Sequence, residues 1–457
     1  MTDTTSAPIN PDELPGGPLS AASDDFVGQD WGSWPTYEAA TLGFRNFWYP
    51  IAWEHQVTSK PMPLTVCGEQ VVLIRDGDEI RALHDRCPHR GVPLSLGRRE
   101  FPGTISCPYH GWTYDLEDGK LVGVVTDGPD SPICGRLGVR TYALERRLGL
   151  VWVFIGDPAE MHPVEDDIPR ELLENDFVMG GRSDVREGNW RFAAENGFDE
   201  GHAKYLHNTA LWRMFKVMPA WNRTRLVERD EWLIRVQDEV NWETKIPGLG
   251  TWTNKRWWRT MPLPDAPGKA ADVNPVIKGL DLPGFVSIRL PGLLRVAYPH
   301  YIHYEWYVPV DADTVRYVQI MVRFEKGWKA ARFGALYLGA IRWLFHGQFT
   351  GQDAWMVDVM DAPPERLYRP DISITGWRRV CERAGLVVQK LAARPDGNPG
   401  SMAATNLPEV RKSDGTPIPP GFRATGKRAT AAPAATPAPE EPQLRRIRRG
   451  GRVADGE

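Results

Sequence analysis

The chain has 457 residues, 42 % of them hydrophobic and 25 % charged, with a net charge of −4. That is room for two or three domains, and so even a balance gives no electrostatic reason to expect nucleic acid or an anionic membrane as a partner. The five cysteines, Cys67, Cys87, Cys107, Cys134 and Cys381, do not suggest a disulfide framework, which suits a reducing, cytoplasmic setting.

Residues 1–42, rich in Pro, Gly, Ser and Asp, are expected to form an irregular N-terminal arm without the apolar stretch of a signal peptide. Residues 43–165 then carry short β-type runs separated by turns, such as Val71–Arg75, Ile80–His84 and Leu150–Ile155. The expectation is a small antiparallel β domain.

Two loops of that domain carry chemistry. Cys87-Pro88-His89 is followed, after seventeen residues, by Cys107-Pro108-Tyr109-His110. Each loop offers one thiolate and one imidazole, a two-Cys, two-His metal site. Zinc accepts such a set, but finger-type sites place like ligands together, C-x2–4-C with H-x3–5-H. A Rieske [2Fe–2S] cluster needs the mixture, because one iron takes two thiolates and the other two imidazoles. The pattern therefore favours the cluster, with Cys87, His89, Cys107 and His110 as ligands. His84 lies just upstream and reads as a packed strand-end histidine.

Residues 166–395 form the second expected domain. Residues 168–180 look helical, and Asn189-Trp190-Arg191 leads into a helix holding Glu195 to His207. Alternation in Leu226–Val236 and Tyr304–Val322 predicts a larger antiparallel sheet. Helices are expected from about Glu325 to Met360 and over Ile372–Ala393. The most apolar run, Phe333–Phe345, is interrupted by Arg342, is too short to span a bilayer, and reads as a buried helix. From residue 396 the composition drifts to Pro, Ala, Gly and Arg, the signature of a largely disordered tail.

The helix near residue 200 holds His202 and His207 among carboxylates, which suits a mononuclear iron(II) site of two imidazoles and one carboxylate. A spacing of five turns by about 140° on a regular helix, so either the helix bulges or His207 lies beyond its end. Asp353 is the best third ligand, with Asp358 and Asp361 as competitors in the same segment. Asp199, three residues before His202, is expected on its helical face, where it could fix the tautomer of His202. Glu195 shares that face and reads equally well as an ordinary helical glutamate.

Together these residues resemble the α subunits of Rieske non-haem iron ring-hydroxylating oxygenases. The matching elements are C-P-H-R-G and C-P-Y-H-G-W-T-Y, then N-W-R with E-N-G-F-D-x-x-H-x4-H, and finally Q-D-x-W. G-F-x-N-x-W-Y-P near the start and E-W-Y-V-P at Glu305–Pro309 are similar to the carbazole dioxygenase and oxoquinoline monooxygenase branch, which forms α3 homotrimers. That branch spaces its two histidines by four rather than five.

The resemblance implies an α+β fold, with an all-β Rieske domain followed by a catalytic domain whose large antiparallel sheet is covered by helices. It implies that His202, His207 and Asp353 hold iron(II), that dioxygen is the co-substrate, and that the product is a hydroxylated aromatic or other hydrophobic small molecule. It also implies that Asp199 meets His110 of a neighbouring subunit, so that electrons cross a subunit boundary. The chain lacks G-x-G-x-x-G and a plant-type ferredoxin thiolate set, so NAD(P)H would act indirectly, through a separate reductase and/or ferredoxin. A bare Rieske electron carrier and a zinc-stabilised binding protein are the competing functions. The second histidine set is what an electron carrier has no use for.

Overall fold

The large sheet sets the frame. The computed structural model describes residues 33–211, 218–253, 286–298, 301–360, 365–384 and 386–388. The N-terminal part consists of nine strands: β1 Phe47–Trp53, β2 Met62–Val66, β3 Glu69–Asp76, β4 Glu79–His84, β5 Thr104–Ser106, β6 Trp112–Asp115, β7 Leu121–Val124, β8 Leu144–Arg147 and β9 Leu150–Ile155. They form three antiparallel three-stranded sheets, β1-β9-β8, β2-β3-β4 and β5-β6-β7. β9 is buried along its whole length, consistent with its unbroken apolar run.

The C-terminal part contributes β10 Val178–Glu187, β11 Trp221–Arg229, β12 Trp232–Asn241, a separate hairpin of β13 Glu243–Ile246 and β14 Gly250–Thr253, then β15 Val286–Arg289, β16 Leu293–Tyr298, β17 Tyr301–Pro309 and β18 Thr314–Arg323. Seven of these make one antiparallel sheet in the order β10-β18-β17-β16-β15-β12-β11. The expected α+β fold is thus observed.

Both faces of this sheet are covered, and the residue alternation shows how. On β17, Ile302, Tyr304, Trp306 and Val308 join a core shared with β1 and β9, where Trp306 meets Trp152 edge-on at 5.6 Å. The alternate residue Tyr307 faces a second core formed with the helices. Backbone bonds from Cys67 and Gly68 to the carbonyls of Pro309 and Val310, both 2.7 Å, tie the two parts together.

The helices are α1 Pro35–Ala39, α2 Arg170–Glu174, α3 Trp190–Phe198, α4 Gly201–Tyr205, α5 Trp328–Leu336, α6 Thr350–Val359 and α7 Ile372–Ala384, with a π-helical segment, Tyr337–Phe349, joining α5 to α6. Four expectations change. The end of the presumed irregular arm is ordered: Trp34, Tyr37 and Ala40 are fully buried, and the Tyr37 amide donates to Glu382 at 2.8 Å. The stretch 168–180 is only a short helix, because β10 begins at Val178 and pairs with β18. The helix meant to hold Glu195 to His207 breaks after Phe198, where Asp199 is extended at ψ 139. The run Phe333–Phe345 is amphipathic rather than buried, with Leu338 and Trp343 exposed beside buried Phe333, Tyr337 and Phe345. No helix among the described residues is long and apolar enough to cross a membrane. Asp361 and the tail from residue 396 lie outside the described residues.

Candidate metal centres

The two Cys-Pro loops fold as matching turns. In each, the cysteine carbonyl accepts from the amide of the glycine four residues on, Gly91 at 2.8 Å and Gly111 at 3.1 Å. Both glycines lie at positive φ, 71° and 65°, a conformation that L side chains adopt only with strain. The cysteine amides in turn donate to the carbonyls of Val92 and Trp112. The turns therefore present their cysteines alike, while the histidines fall at the third place of one and the fourth of the other.

Cys87 and Cys107 are buried among Val72, Leu83, Leu94, Ile105 and Tyr114, whereas His89 is exposed and His110 half-buried. The two imidazole rings lie 4.7 Å apart, and His89 stacks flat on Trp112 at 4.6 Å. Burial pushes the Cys87 thiol up to about 11, against a contact from the Tyr114 hydroxyl at 3.1 Å. A buried thiol of that kind becomes a thiolate only when a metal takes its proton's place. Nδ1 of His110 is buried without a partner among the described residues. Two inward thiols and two outward imidazoles suit the asymmetric demand of a Rieske cluster. His84 is elsewhere: its ring lies 3.4 Å from the Tyr142 hydroxyl and 3.9 Å from Glu69.

The second centre is assembled by the helix break. Asp199 ends α3, and its carboxylate accepts from the amides of Gly201 at 2.9 Å and His202 at 2.8 Å, opening α4 as a capping group does. The same carboxylate lies 3.2 Å from Nδ1 of His202. The expected Asp199–His202 contact is present, but a kink rather than a shared helical face produces it. His207 lies past α4, in a 3-10 turn over Leu206–Thr209, which accounts for the spacing of five.

Asp353 in the first turn of α6 meets both histidines. Its Oδ1 is 3.4 Å from Nε2 of His202 and 3.0 Å from Nε2 of His207, and these ligand atoms lie within 4.8 Å of one another. Yet Oδ1 of Asp353 accepts no hydrogen bond. The outer nitrogens of the two rings are held from behind. Gln352 donates to Thr209 at 3.0 Å, so its Oε1, 3.0 Å from Nδ1 of His207, is an acceptor, and Nδ1 is the donor. Asp199 does the same for His202. Two Nε2 atoms and a carboxylate oxygen then converge in a partly buried space, an arrangement a cation satisfies. The carboxylates of Asp199 and Asp353 are held well below the usual range by the two histidines, which outweigh their burial. Burial opposes the charge on His202, but with no cation between them the two carboxylates raise it to about 9, so a proton holds the place that a metal would take.

Three contacts here are not foreseen by the sequence. Gln352 orients His207, Phe349 stacks on His207 at 3.8 Å, and Gln348 accepts from the amide of Leu211 at 2.9 Å. Asp358 is exposed and faces Arg186 and Glu187 rather than the histidines. Glu195 binds Arg378 at 2.6 Å and the Tyr37 hydroxyl at 2.8 Å, so it serves the core.

A Rieske-type ligand set followed by a two-histidine, one-carboxylate centre defines a Rieske non-haem iron oxygenase. Comparison with known proteins agrees. Residues 47–142 match the Rieske [2Fe-2S] domain family, and residues 154–389 match the homotrimeric ring hydroxylase family. The terminal oxygenase component of carbazole 1,9a-dioxygenase from a Sphingomonas species is 30 % identical over 395 residues, 78 % of this chain and 96 % of that one. The solved terminal oxygenase of carbazole 1,9a-dioxygenase from Nocardioides aromaticivorans is 31 % identical with a TM-score of 0.66, covering 78 % of this chain and 99 % of that one. An oxygenase–ferredoxin complex of carbazole 1,9a-dioxygenase is 27 % identical with a TM-score of 0.64, covering 77 % and 92 %. The chain belongs to the homotrimeric ring hydroxylase family of Rieske oxygenases. It is the terminal oxygenase component, an oxidoreductase dependent on a Rieske cluster and a mononuclear iron.

Proposed function

We propose that this chain hydroxylates a planar aromatic or heteroaromatic compound as a homotrimer in the cytoplasm, with a separate ferredoxin and/or reductase as electron source. Cys87, His89, Cys107 and His110 hold the [2Fe–2S] cluster within residues 43–165. His202, His207 and Asp353 hold iron(II) within residues 166–395. Bound there, iron(II) supplies the open positions and the reducing power that dioxygen activation needs. The observation that carries the reading is the convergence of three metal-ligating atoms, Nε2 of His202, Nε2 of His207 and Oδ1 of Asp353, within 4.8 Å of one another.

The protein's own groups do the positioning. Asp199 and Gln352 each accept a hydrogen bond from Nδ1 of one histidine and so direct its Nε2 inward. Phe349 covers the inner histidine and keeps water from it. Asp199 also stands ready to accept from His110 of a neighbouring subunit, whose ring lies beside the exposed Tyr109. The substrate class and the ferredoxin rest on likeness to the carbazole 1,9a-dioxygenase oxygenases and their ferredoxin complex.

The test is product formation and substrate-coupled oxygen uptake with a surrogate reductase. His202→Ala is expected to abolish both while the visible spectrum of the cluster persists. Full product formation in that variant would refute the assignment.

A further inference from the structure

A polar network on the helix-facing side of the large sheet takes no part in the roles above. His303 and Glu305 on β17, Gln319 opposite Glu305 on β18, and His346 from the π-helical segment are all buried, at 2, 6, 2 and 0 % exposure. Glu305 receives the Tyr307 hydroxyl at 2.5 Å, Gln319 Nε2 at 2.5 Å and His303 Nε2 at 2.7 Å. Three donors around one carboxyl fit its ionised, acceptor-only form. Gln319, having donated through nitrogen, offers its oxygen, so Nδ1 of His346 at 3.0 Å is the donor there.

Each imidazole thus points its N–H into the network and turns its other nitrogen outward as a lone pair. These nitrogens, Nδ1 of His303 and Nε2 of His346, have no partner among the described residues. The two rings are 5.5 Å apart, with Phe345 at 4.6 Å from His303 and 5.4 Å from His346. Phe345 stacks on Phe349 at 5.1 Å, and Phe349 on His207 at 3.8 Å. An aromatic wall therefore runs from the iron ligands to the two acceptors. The ring of Tyr337, whose buried hydroxyl has no partner among the described residues, meets His346 edge-on at 5.8 Å. π-Helical winding, which is rare and concentrated at functional sites, carries His346 and both phenylalanines.

Buried acceptors left without a donor are costly. We propose that Nδ1 of His303 and Nε2 of His346 form the polar end of the substrate pocket, accepting a hydrogen bond from an N–H or O–H of an aromatic substrate whose rings lie along Phe345 and Phe349. This rests on the oxygenase reading and narrows it to donor-bearing substrates.

The test uses the holoenzyme under anaerobic conditions, where binding is read without turnover. Two isosteric pairs serve as probes, carbazole against fluorene and indole against indene. The N–H member of each pair is expected to bind roughly tenfold tighter or more. In His303→Leu and His346→Leu that preference is expected to fall to within about twofold, with fluorene and indene held as before. Equal affinity within both pairs in the wild type overturns the proposal without needing either variant. A preference unchanged in both variants overturns it as well. Equal affinity together with oxygen uptake coupled to oxidation of the same compounds leaves the oxygenase reading standing. No binding and no coupled uptake with any of the four sinks both.

Discussion

The side-chain oxygen of Gln352 lies 3.0 Å from Nδ1 of His207 and decides which nitrogen of that ring faces Asp353. It is the neutral counterpart of Asp199 at His202. Because Gln352 is anchored to Thr209, it cannot rotate to offer its amino group without losing that bond. Gln352→Leu is therefore expected to weaken iron binding at the mononuclear centre by roughly 10–100-fold. Iron per chain after dialysis against a weak chelator measures it, and wild-type retention would remove the orienting role.

Asp199→Asn tests a different property. The amide keeps one acceptor oxygen for the start of α4, so both metal centres should remain loaded. The anionic link toward His110 of a neighbouring subunit is lost, and turnover is expected to fall roughly 10–100-fold. Stopped-flow reoxidation of the reduced cluster, in the presence of substrate and oxygen, reads the step itself. Wild-type rates would exclude bridging by this carboxylate.

Arg378 is fully buried, 2.6 Å from Glu195 and paired also with Glu365. Arg378→Met leaves Glu195 charged in the core beside the Tyr37 hydroxyl. The expected loss is about 3–5 kcal/mol, read from urea unfolding of the as-purified protein. A loss below about 1 kcal/mol would mean that Glu195 finds solvent in the variant.

His162 links the two parts of the chain through Asp167, at 2.9 Å, and Asp167 also accepts from the amide of Trp48 at 2.7 Å. The hydrogen bond to Asp167 raises His162 above the ordinary histidine value of 6.5, with partial burial opposing. A raised folded-state value means the contact stabilises fully below about 6.5 and fades as pH climbs through the raised value. His162→Asn should thus lower the melting temperature at about pH 6 and change it little at about pH 9. The reverse order would contradict the pairing.

Legibility in the sequence followed the range of the contacts. Cys87, His89, Cys107 and His110, the proposed cluster ligands, sit in two local turns, so their pattern is readable from spacing alone. The strands Glu69–Asp76 and Leu150–Ile155 were visible because their apolar runs are uninterrupted. The break at Asp199 was not visible, since Glu195–His207 contains no proline and its one interior glycine pair reads as tolerable in a helix. Tertiary contacts hold that break: Glu200 is buried and accepts from Asn222 at 3.2 Å, and Arg235 donates to the carbonyl of Phe198 at 2.6 Å. The ordered Trp34–Leu42 segment was hidden for the same reason, because its partners Arg191 and Glu382 lie more than a hundred residues away. Gln319 and His346, 27 residues apart in sequence, meet only through the packing of the π-helical segment on β18.

The most direct measurement is iron per chain in the purified holoenzyme and in Asp353→Ala. The account predicts three irons in the wild type and two in the variant, with the electron paramagnetic resonance signal of the reduced cluster unchanged. Three irons in Asp353→Ala, or two in the wild type with full oxygenase activity, would contradict a mononuclear centre held by His202, His207 and Asp353.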